Sequence, residues 1–354
     1  MKVRLSISLA SIFLALCQIG EPCAIGQESK AKKFSAAENA KLVTKDAQRS
    51  INRGLTWLSS RQHDNGSFGP TGSYGQNVAV TALSGMAFLS SGSTPGRGPY
   101  GLHTQRATNF ILAQCKPDGF VNVKQSESHG PMYGHGFATL FLAEVYGMSP
   151  RADIKKKLNQ AVKLIVNTQN KEGGWRYHPS VKDADVSVTV CQIMALRAAR
   201  NAGIFVPKNT VDKCIDYVKR CQNKDGGFRY RLVGQSESLF PRSAAGVVAL
   251  YSAGVYEGPE IDKGIGYLSQ YLPQGGLYHF GNHYFYGQYY AVQAMWQAGG
   301  THWKRWYPAI REELRRRQKP EGSWQDTSIC NEYGTAMALV VLQMPNSYLP
   351  IFDR

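Results

Sequence analysis

QNKEGGWRYHPSVKDADVSVTVCQIMALR, residues 169–197, carries both a recurring unit and the one place where that unit is altered. A helix ends at Gln169, a glycine turn follows at Gly173 and Gly174, Trp175 supplies an aromatic, and an apolar helix runs from about Val186 to Ala199. Into this pattern the chain places Asp183-Ala184-Asp185, two carboxylates where the second helix begins.

The turn recurs on both sides of this stretch. It reads QHDNGSF from Gln62, QCKPDGF from Gln114, QNKDGGF from Gln222 and QKPEGSW from Gln318, with a degraded copy, QYLPQGGLY, from Gln270. Six copies at intervals of 48 to 55 residues signal a repeat array. Before each turn lies an amphipathic helix, as in Ala47, Ile51, Leu55 and Leu58, or Ile154, Leu158, Ala161 and Ile165. Pro150, Pro207 and Pro259 stand ahead of three of these helices, where proline favours a first turn. After each turn comes a helix apolar nearly all round, such as NVAVTALSGMAFL or TAMALVVLQM, which must be buried on most sides. Six amphipathic helices outside six apolar ones predict an all-α closed ring of twelve helices, and closure removes the exposed ends that an open array must cap.

Four of the inner helices are preceded or begun by the same dipeptide: Tyr74-Gly75, Tyr133-Gly134, Tyr286-Gly287 and Tyr333-Gly334, followed by Gln76, His135, Gln288 and Thr335. Repeat symmetry predicts that these polar groups form a ring at the mouth of a central cavity. The third and fourth units have DADVS and FPRS instead, which brings Asp183, Asp185 and Arg242 to the mouth. Trp175, Tyr177, His135, Arg242, Tyr286, Gln288, Glu332 and Tyr333 are the residues expected to line the ligand site. The aromatic segment YHFGNHYFYGQYY, residues 278–290, is a further cavity candidate, whereas Trp175, Phe228 and Trp324 also belong to the repeated turn and have a packing role there.

The chain opens with Lys2 and Arg4 ahead of an apolar run from Leu5 to Leu16, with small residues at Ala24 and Gly26. That is the form of an export signal, and the run is too short to span a bilayer. The expected organisation is a signal peptide over 1–26, a polar linker over 27–43, the ring over 44–345 and a tail over 346–354. The formal charge of +16 predicts an acidic partner. Nucleic acid is the usual reading of such a balance, but export points instead to lipid headgroups or an anionic envelope polymer. The dense basic runs, Lys155-Lys156-Lys157 and HWKRWYPAIREELRRRQK, fall on outer helices and read as solvated faces. Five cysteines remain after the signal, at 115, 191, 214, 221 and 330. Cys214 and Cys221 lie two helical turns apart, about 10 Å, beyond disulfide reach, and no spacing suggests a metal. Buried thiols are expected.

The sixfold Gln-x(3 to 5)-Gly-aromatic turn resembles that of the prenyltransferase and squalene oxidase repeat family, which includes terpenoid cyclases and the beta subunits of protein prenyltransferases. The resemblance covers residues 44 to about 345 and implies a six-hairpin α/α toroid with inner and outer helix rings. In the triterpene cyclases an Asp-x-Asp-Asp-Thr motif at the start of an inner helix supplies the initiating proton. Asp183-Ala184-Asp185-Val186-Ser187 resembles an incomplete version, in which Asp185 would be the acid, Asp183 its neighbour, and Val186 stands in place of the third aspartate. The cyclases place their cavity between two toroids, and this chain has one. In the protein prenyltransferases a zinc is held through an Asp-x-Cys and a later His; here Ser187 and Gly334 stand at those positions, so no metal or other cofactor is expected. Two readings follow: a cyclase or isomerase acting by protonation on a hydrophobic, isoprenoid-type ligand, or a noncatalytic toroid binding an envelope polymer, lipid or protein. For Asp185 itself the bland alternative is a helix N-cap, a preferred role for aspartate at such a place.

Overall fold

The computed structural model describes residues 35–70, 72–126, 130–234, 236–273 and 283–353. The outer helices are α2 (Lys45–Ser60), α4 (Gly101–Ala113), α6 (Ala152–Asn167), α8 (Lys208–Arg220), α10 (Pro259–Ser269) and α12 (Gly300–Arg317). Alternating with them are the inner helices α3 (Val78–Leu89), α5 (Pro131–Met148), α7 (Val186–Asn201), α9 (Phe240–Ser252), α11 (Tyr284–Ala298) and α13 (Asn331–Gln343). The polarity pattern explains the layering. On α8 only Thr210, Cys214, Tyr217 and Val218 are buried, a single stripe. On α7 every residue from Val186 to Ala199 except Ser187 is buried, so the helix must be enclosed on all sides.

Each inner helix packs on the next, α3 on α5, α5 on α7, α7 on α9, α9 on α11 and α11 on α13, and α13 packs back on α3. The ring is closed: six hairpins form an all-α toroid. The repeated turn is what locks one hairpin to the next. Gln169 donates its side-chain amide to Gly173 O within its own turn and to Thr210 O on the following outer helix, both at 2.8 Å. Gln62, Gln222 and Gln318 do the same toward His103, Glu260 and Ser50. The last of these contacts runs from the sixth hairpin to the first. Glycine is required because the turn meets the next helix closely: Gly173 has φ +102, and a Cβ there would lie 2.1 Å from Lys213 O.

The basic stretch on α12 differs from the expected solvated face. Arg315 reaches Asp46 at 3.3 Å and Arg311 donates to Leu42 O, so two of its arginines bridge the seam where the last hairpin meets the first. The end of the segment read as a linker is also built into that seam. Ala36–Ala40 forms a short helix, α1, started by a capping box between Ser35 and Glu38, and buried Asn39 accepts from Trp303 Nε1 at 3.3 Å. Five residues are too few to show a helical period, which is why pattern alone misses them. The tail after α13 is packed as well, with Leu349, Ile351 and Phe352 buried. The five cysteines among the described residues are free and buried.

Candidate functional site

Because every hairpin runs outer helix, turn, inner helix, all six inner helices begin at the same end of the barrel. In the third hairpin the chain leaves the turn at Trp175, makes an excursion over residues 176–184, and returns at Asp185, whose N–H donates to Trp175 O at 2.9 Å. Asp185 then has extended backbone, φ −138 and ψ 156, and caps α7: Oδ1 accepts from Val188 N at 2.8 Å. The other oxygen is not used in this way. Among the described residues Oδ2 is buried without a hydrogen-bond partner, and its nearest cation is Arg176 Nε at 3.9 Å. Burial pushes the carboxyl up to about 6, against the Val188 amide, Arg176, the Ser187 amide and Tyr230, which pull the other way.

Asp183 has a different environment. It is half exposed and forms surface ion pairs with Arg176 Nε at 3.4 Å and Arg231 Nη1 at 3.6 Å. Two neighbouring carboxylates are thus separated into one dry and one solvated group. Arg176 lies between the Tyr177 and Tyr230 rings, at 4.7 and 5.5 Å, and its Nη1 has no hydrogen-bond partner among the described residues. The Tyr177 and Tyr230 hydroxyls hydrogen-bond to each other. Tyr133 flanks Tyr177 with ring centres 6.1 Å apart, and Tyr286 on α11 donates to Ser187 O at 3.0 Å. Burial, with Asp185 contributing, holds the Tyr133 phenol well above its usual range.

Below this group the barrel is crossed by side chains. Tyr290 on α11 meets Cys191 Sγ on α7 at 3.2 Å. Tyr289 meets Phe137 edge to face at 6.2 Å. Helices α5 and α11 stand on opposite sides of the ring, so that contact spans the barrel axis and separates the mouth from the far end.

Of the residues named from the sequence, Asp185, Asp183, Tyr177 and Tyr286 come together. Arg242 is half buried nearby, its Nη2 on Glu237 O and its Nε without a hydrogen-bond partner among the described residues; burial holds its guanidinium below the usual value, against Glu237, Tyr267 and Tyr230. Trp175 does not face the mouth: its indole donates to Ile165 O at 2.7 Å within the hairpin. His135 departs from the expected ring. It is fully buried, accepts from Val121 N at 3.2 Å on Nδ1 and faces Ala161 O with Nε2, and burial lowers it to about 4, so it stays neutral.

The reason is a repeated structural task. Thr81, Thr189, Ser243 and Thr335 receive the turn aromatics' N–H groups, from Phe68, Trp175, Phe228 and Trp324, and His135 does so one residue along. These polar groups hold the turns; they do not line a cavity. Tyr74-Gly75-Gln76 lies ahead of α3, and Thr81 occupies the matching place in that hairpin. Gln288 is the exception, buried with both amide atoms unpartnered among the described residues. Glu332 is buried and pairs with Arg61 Nε at 3.2 Å, and Tyr333 is buried beside it. Residues 278–282 of the aromatic segment lie outside the described residues.

Pattern reading passed over Arg176 as a site residue. A signal existed: GGWRY at 173–177 and GGFRY at 226–230 repeat the same Gly-Gly-aromatic-Arg-Tyr, and the two tyrosines of those copies are the ones whose hydroxyls pair.

Two family models match the chain. Residues 138–279 match the squalene-hopene cyclase C-terminal domain, and residues 23–175 match the prenyltransferase alpha-alpha toroid domain. No curated protein sequence matches. Among solved structures, an inactive variant of the alpha-1,6-mannanase GH76A of Salegentibacter sp. HEL1_6, in complex with alpha-1,6-mannotriose, superposes with TM-score 0.62 at 8% identity over 84% of this chain and 99% of that one. The type II terpene cyclase MstE from Scytonema superposes with TM-score 0.58 at 16% identity over 86% of this chain and 99% of that one. A protein from Actinoplanes gives TM-score 0.58 at 15% identity over 85% and 99%. At such identities the superpositions speak for the fold alone; the two model matches, which together span residues 23–279, carry the kinship: the chain belongs to the prenyltransferase and squalene-cyclase repeat family of α/α toroids.

Proposed function

We propose that this is an exported toroid whose barrel mouth binds a largely apolar, isoprenoid-type ligand and isomerises it by proton transfer from Asp185. The observation that carries the reading is the environment of Asp185 Oδ2: buried, without a hydrogen-bond partner among the described residues, its cation Arg176 only at 3.9 Å, and its proton affinity raised to about 6. A carboxyl so placed is partly protonated at mildly acid to neutral pH, as a general acid must be. Tyr133, Tyr177, Tyr230 and Tyr286 stand around it, and ring faces stabilise a cation by about 0.5 to 2 kcal/mol each. Asp183 acts through Arg176, holding the guanidinium that faces Asp185. Kinship with terpene cyclases supports the ligand class, and Lys2, Arg4 and the apolar run after them support export.

A second reading is noncatalytic binding of an envelope polymer or lipid surface. The contact of Tyr289 with Phe137 limits the depth of the mouth, and Val181 and Val233 stand exposed on its rim beside Arg231. That arrangement suits a surface ligand.

The test is incubation with squalene and with geranylgeraniol, followed by chromatography for cyclised products of unchanged mass. Products from the wild-type protein and none from Asp185→Asn support the first reading. Binding without any isomer, equal in both proteins, would reject it in favour of the second.

A further inference from the structure

At the far end of the barrel, where the inner helices finish, the chain crosses back over the opening. Residues 349–353 form a strap containing a single 3-10 turn, Pro350–Phe352, which packs on α7 and α11. Its own Leu349, Ile351 and Phe352 are buried. Its polar attachment is made by side chains reaching up to its carbonyls: Arg197 Nη2 to Asp353 O at 2.7 Å, Trp296 Nε1 to Phe352 O at 3.0 Å, and Gln297 to the same oxygen.

What the strap covers is polar and incompletely satisfied. Glu144 on α5 and Arg197 on α7 are both more than nine-tenths buried, and each has an atom without a hydrogen-bond partner among the described residues: Oε2 and Nε. Burial pushes Glu144 up to about 8; Ile351 of the strap supplies a backbone hydrogen bond that opposes this, and Asp353 adds to it. A narrow cleft bordered by Arg197, Gln293, Trp296, Ile351 and Phe352, with room for little more than one water molecule, runs along the strap. Apolar burial therefore closes the strap, while the groups beneath it would gain hydrogen bonds from water if it opened. The hinge is visible too: Ser347, just before the strap, holds left-handed backbone at φ 53, a conformation that non-glycine residues keep only under constraint.

We propose that the 349–353 strap is a gate on a second opening of the barrel, swinging about Ser347 as a unit and admitting water to the compartment of Glu144 and Arg197. This does not depend on any chemistry at Asp185. The compartment lies beyond the Tyr289–Phe137 contact, so the gate serves the far end and not the mouth.

Hydrogen exchange on the full chain decides the matter. The Phe352 and Asp353 amides, bonded to Leu349 O and Pro350 O, should exchange through local opening at least about 100-fold faster than amides in the middle of α7 and α11. Gln297→Ala should speed exchange in the strap and leave α9 unchanged. As an independent readout, Ser252→Cys, beside the cleft, should react with methyl methanethiosulfonate far faster than the native buried thiols, and faster still when combined with Gln297→Ala. Strap amides that exchange only at the rate of the inner helices would overturn the proposal. If Ser252→Cys does not fold, the exchange measurement on the wild-type chain decides alone.

Discussion

The N–H of Asp185 donates to the Trp175 carbonyl at 2.9 Å, which ties the buried acid to the aromatic of the repeated turn. Trp175 is in turn fixed by its indole on Ile165 O and by its own N–H on Thr189. The elements that hold a hairpin together thus also set the position of the carboxyl, and the 176–184 excursion between them is free to carry Arg176, Tyr177 and Asp183.

The turn glycine gives the first prediction. Gly173→Ala places a Cβ 2.1 Å from Lys213 O at φ +102, so backbone must shift. The loss should be at least about 1–3 kcal/mol, the cost of backbone strain of this kind. Gly203→Ala, at φ +81 with nothing within 4 Å, should cost less because it meets only the strain and no clash. Thermal unfolding of the two variants side by side checks the order.

Gln318→Ala tests closure. Its amide joins the sixth hairpin to Ser50 O at 2.8 Å, whereas the Gln169 amide joins two interior neighbours. Gln169→Ala loses two hydrogen bonds and Gln318→Ala three, since Arg53 also donates to the Gln318 side-chain oxygen, roughly 1 kcal/mol apiece. Only Gln318→Ala should also raise hydrogen exchange in α1 and α2 selectively, since it opens the seam. Equal exchange changes in both variants would mean that the ring has no special joint there.

Much of this architecture is legible in the sequence, because a turn that must bring glycine against the next helix leaves the same residues in every copy. The site is less legible. Gln76, His135, Gln288 and Thr335 look like a ring of cavity groups when read along the helices, and only the bonds to the turn N–H groups assign His135 and Thr335 to packing. Asp185 is a mixed case: it is the N-cap that its place in the sequence suggests, yet capping uses one oxygen and leaves the other buried.

Glu144 should make stability fall with pH. Its folded carboxyl is raised from 4.5 to about 8, so its full contribution is present below pH 4.5, declines between 4.5 and 8 as the unfolded chain alone releases the proton, and is constant above. Glu144→Gln should therefore unfold at the same temperature as wild type near pH 4.5 and be more stable by at least ~1 kcal/mol at pH 8. A difference that does not grow with pH would show that the carboxyl is hydrated.

Arg176 holds the Asp185 proton affinity down, after the larger effect of the Val188 amide. Arg176→Gln should move the Asp185 titration, followed by NMR of the carboxyl carbon, above its wild-type value near 6. An unchanged midpoint would separate the two groups electrically despite their 3.9 Å approach.

Asp185 itself allows capping and chemistry to be told apart. Its carboxyl is raised from 3.8 to about 6, so it contributes full stability below pH 3.8, loses it between 3.8 and 6, and is flat above. Asn caps about as well as Asp. Asp185→Asn should therefore keep the Val188 contact, match wild type near pH 3.8, and melt at an equal or higher temperature at pH 7, where a desolvated charge has been removed. Asp185→Ala loses the cap and should be destabilised by roughly 0.5–2 kcal/mol. Proton transfer divides the variants differently, because neither Asn nor Ala can supply a proton. If isomerisation is lost in both while only Asp185→Ala is destabilised, the free oxygen is the acid and its partner oxygen the cap. Isomerisation at wild-type rate in a folded Asp185→Asn protein would reduce this residue to a cap.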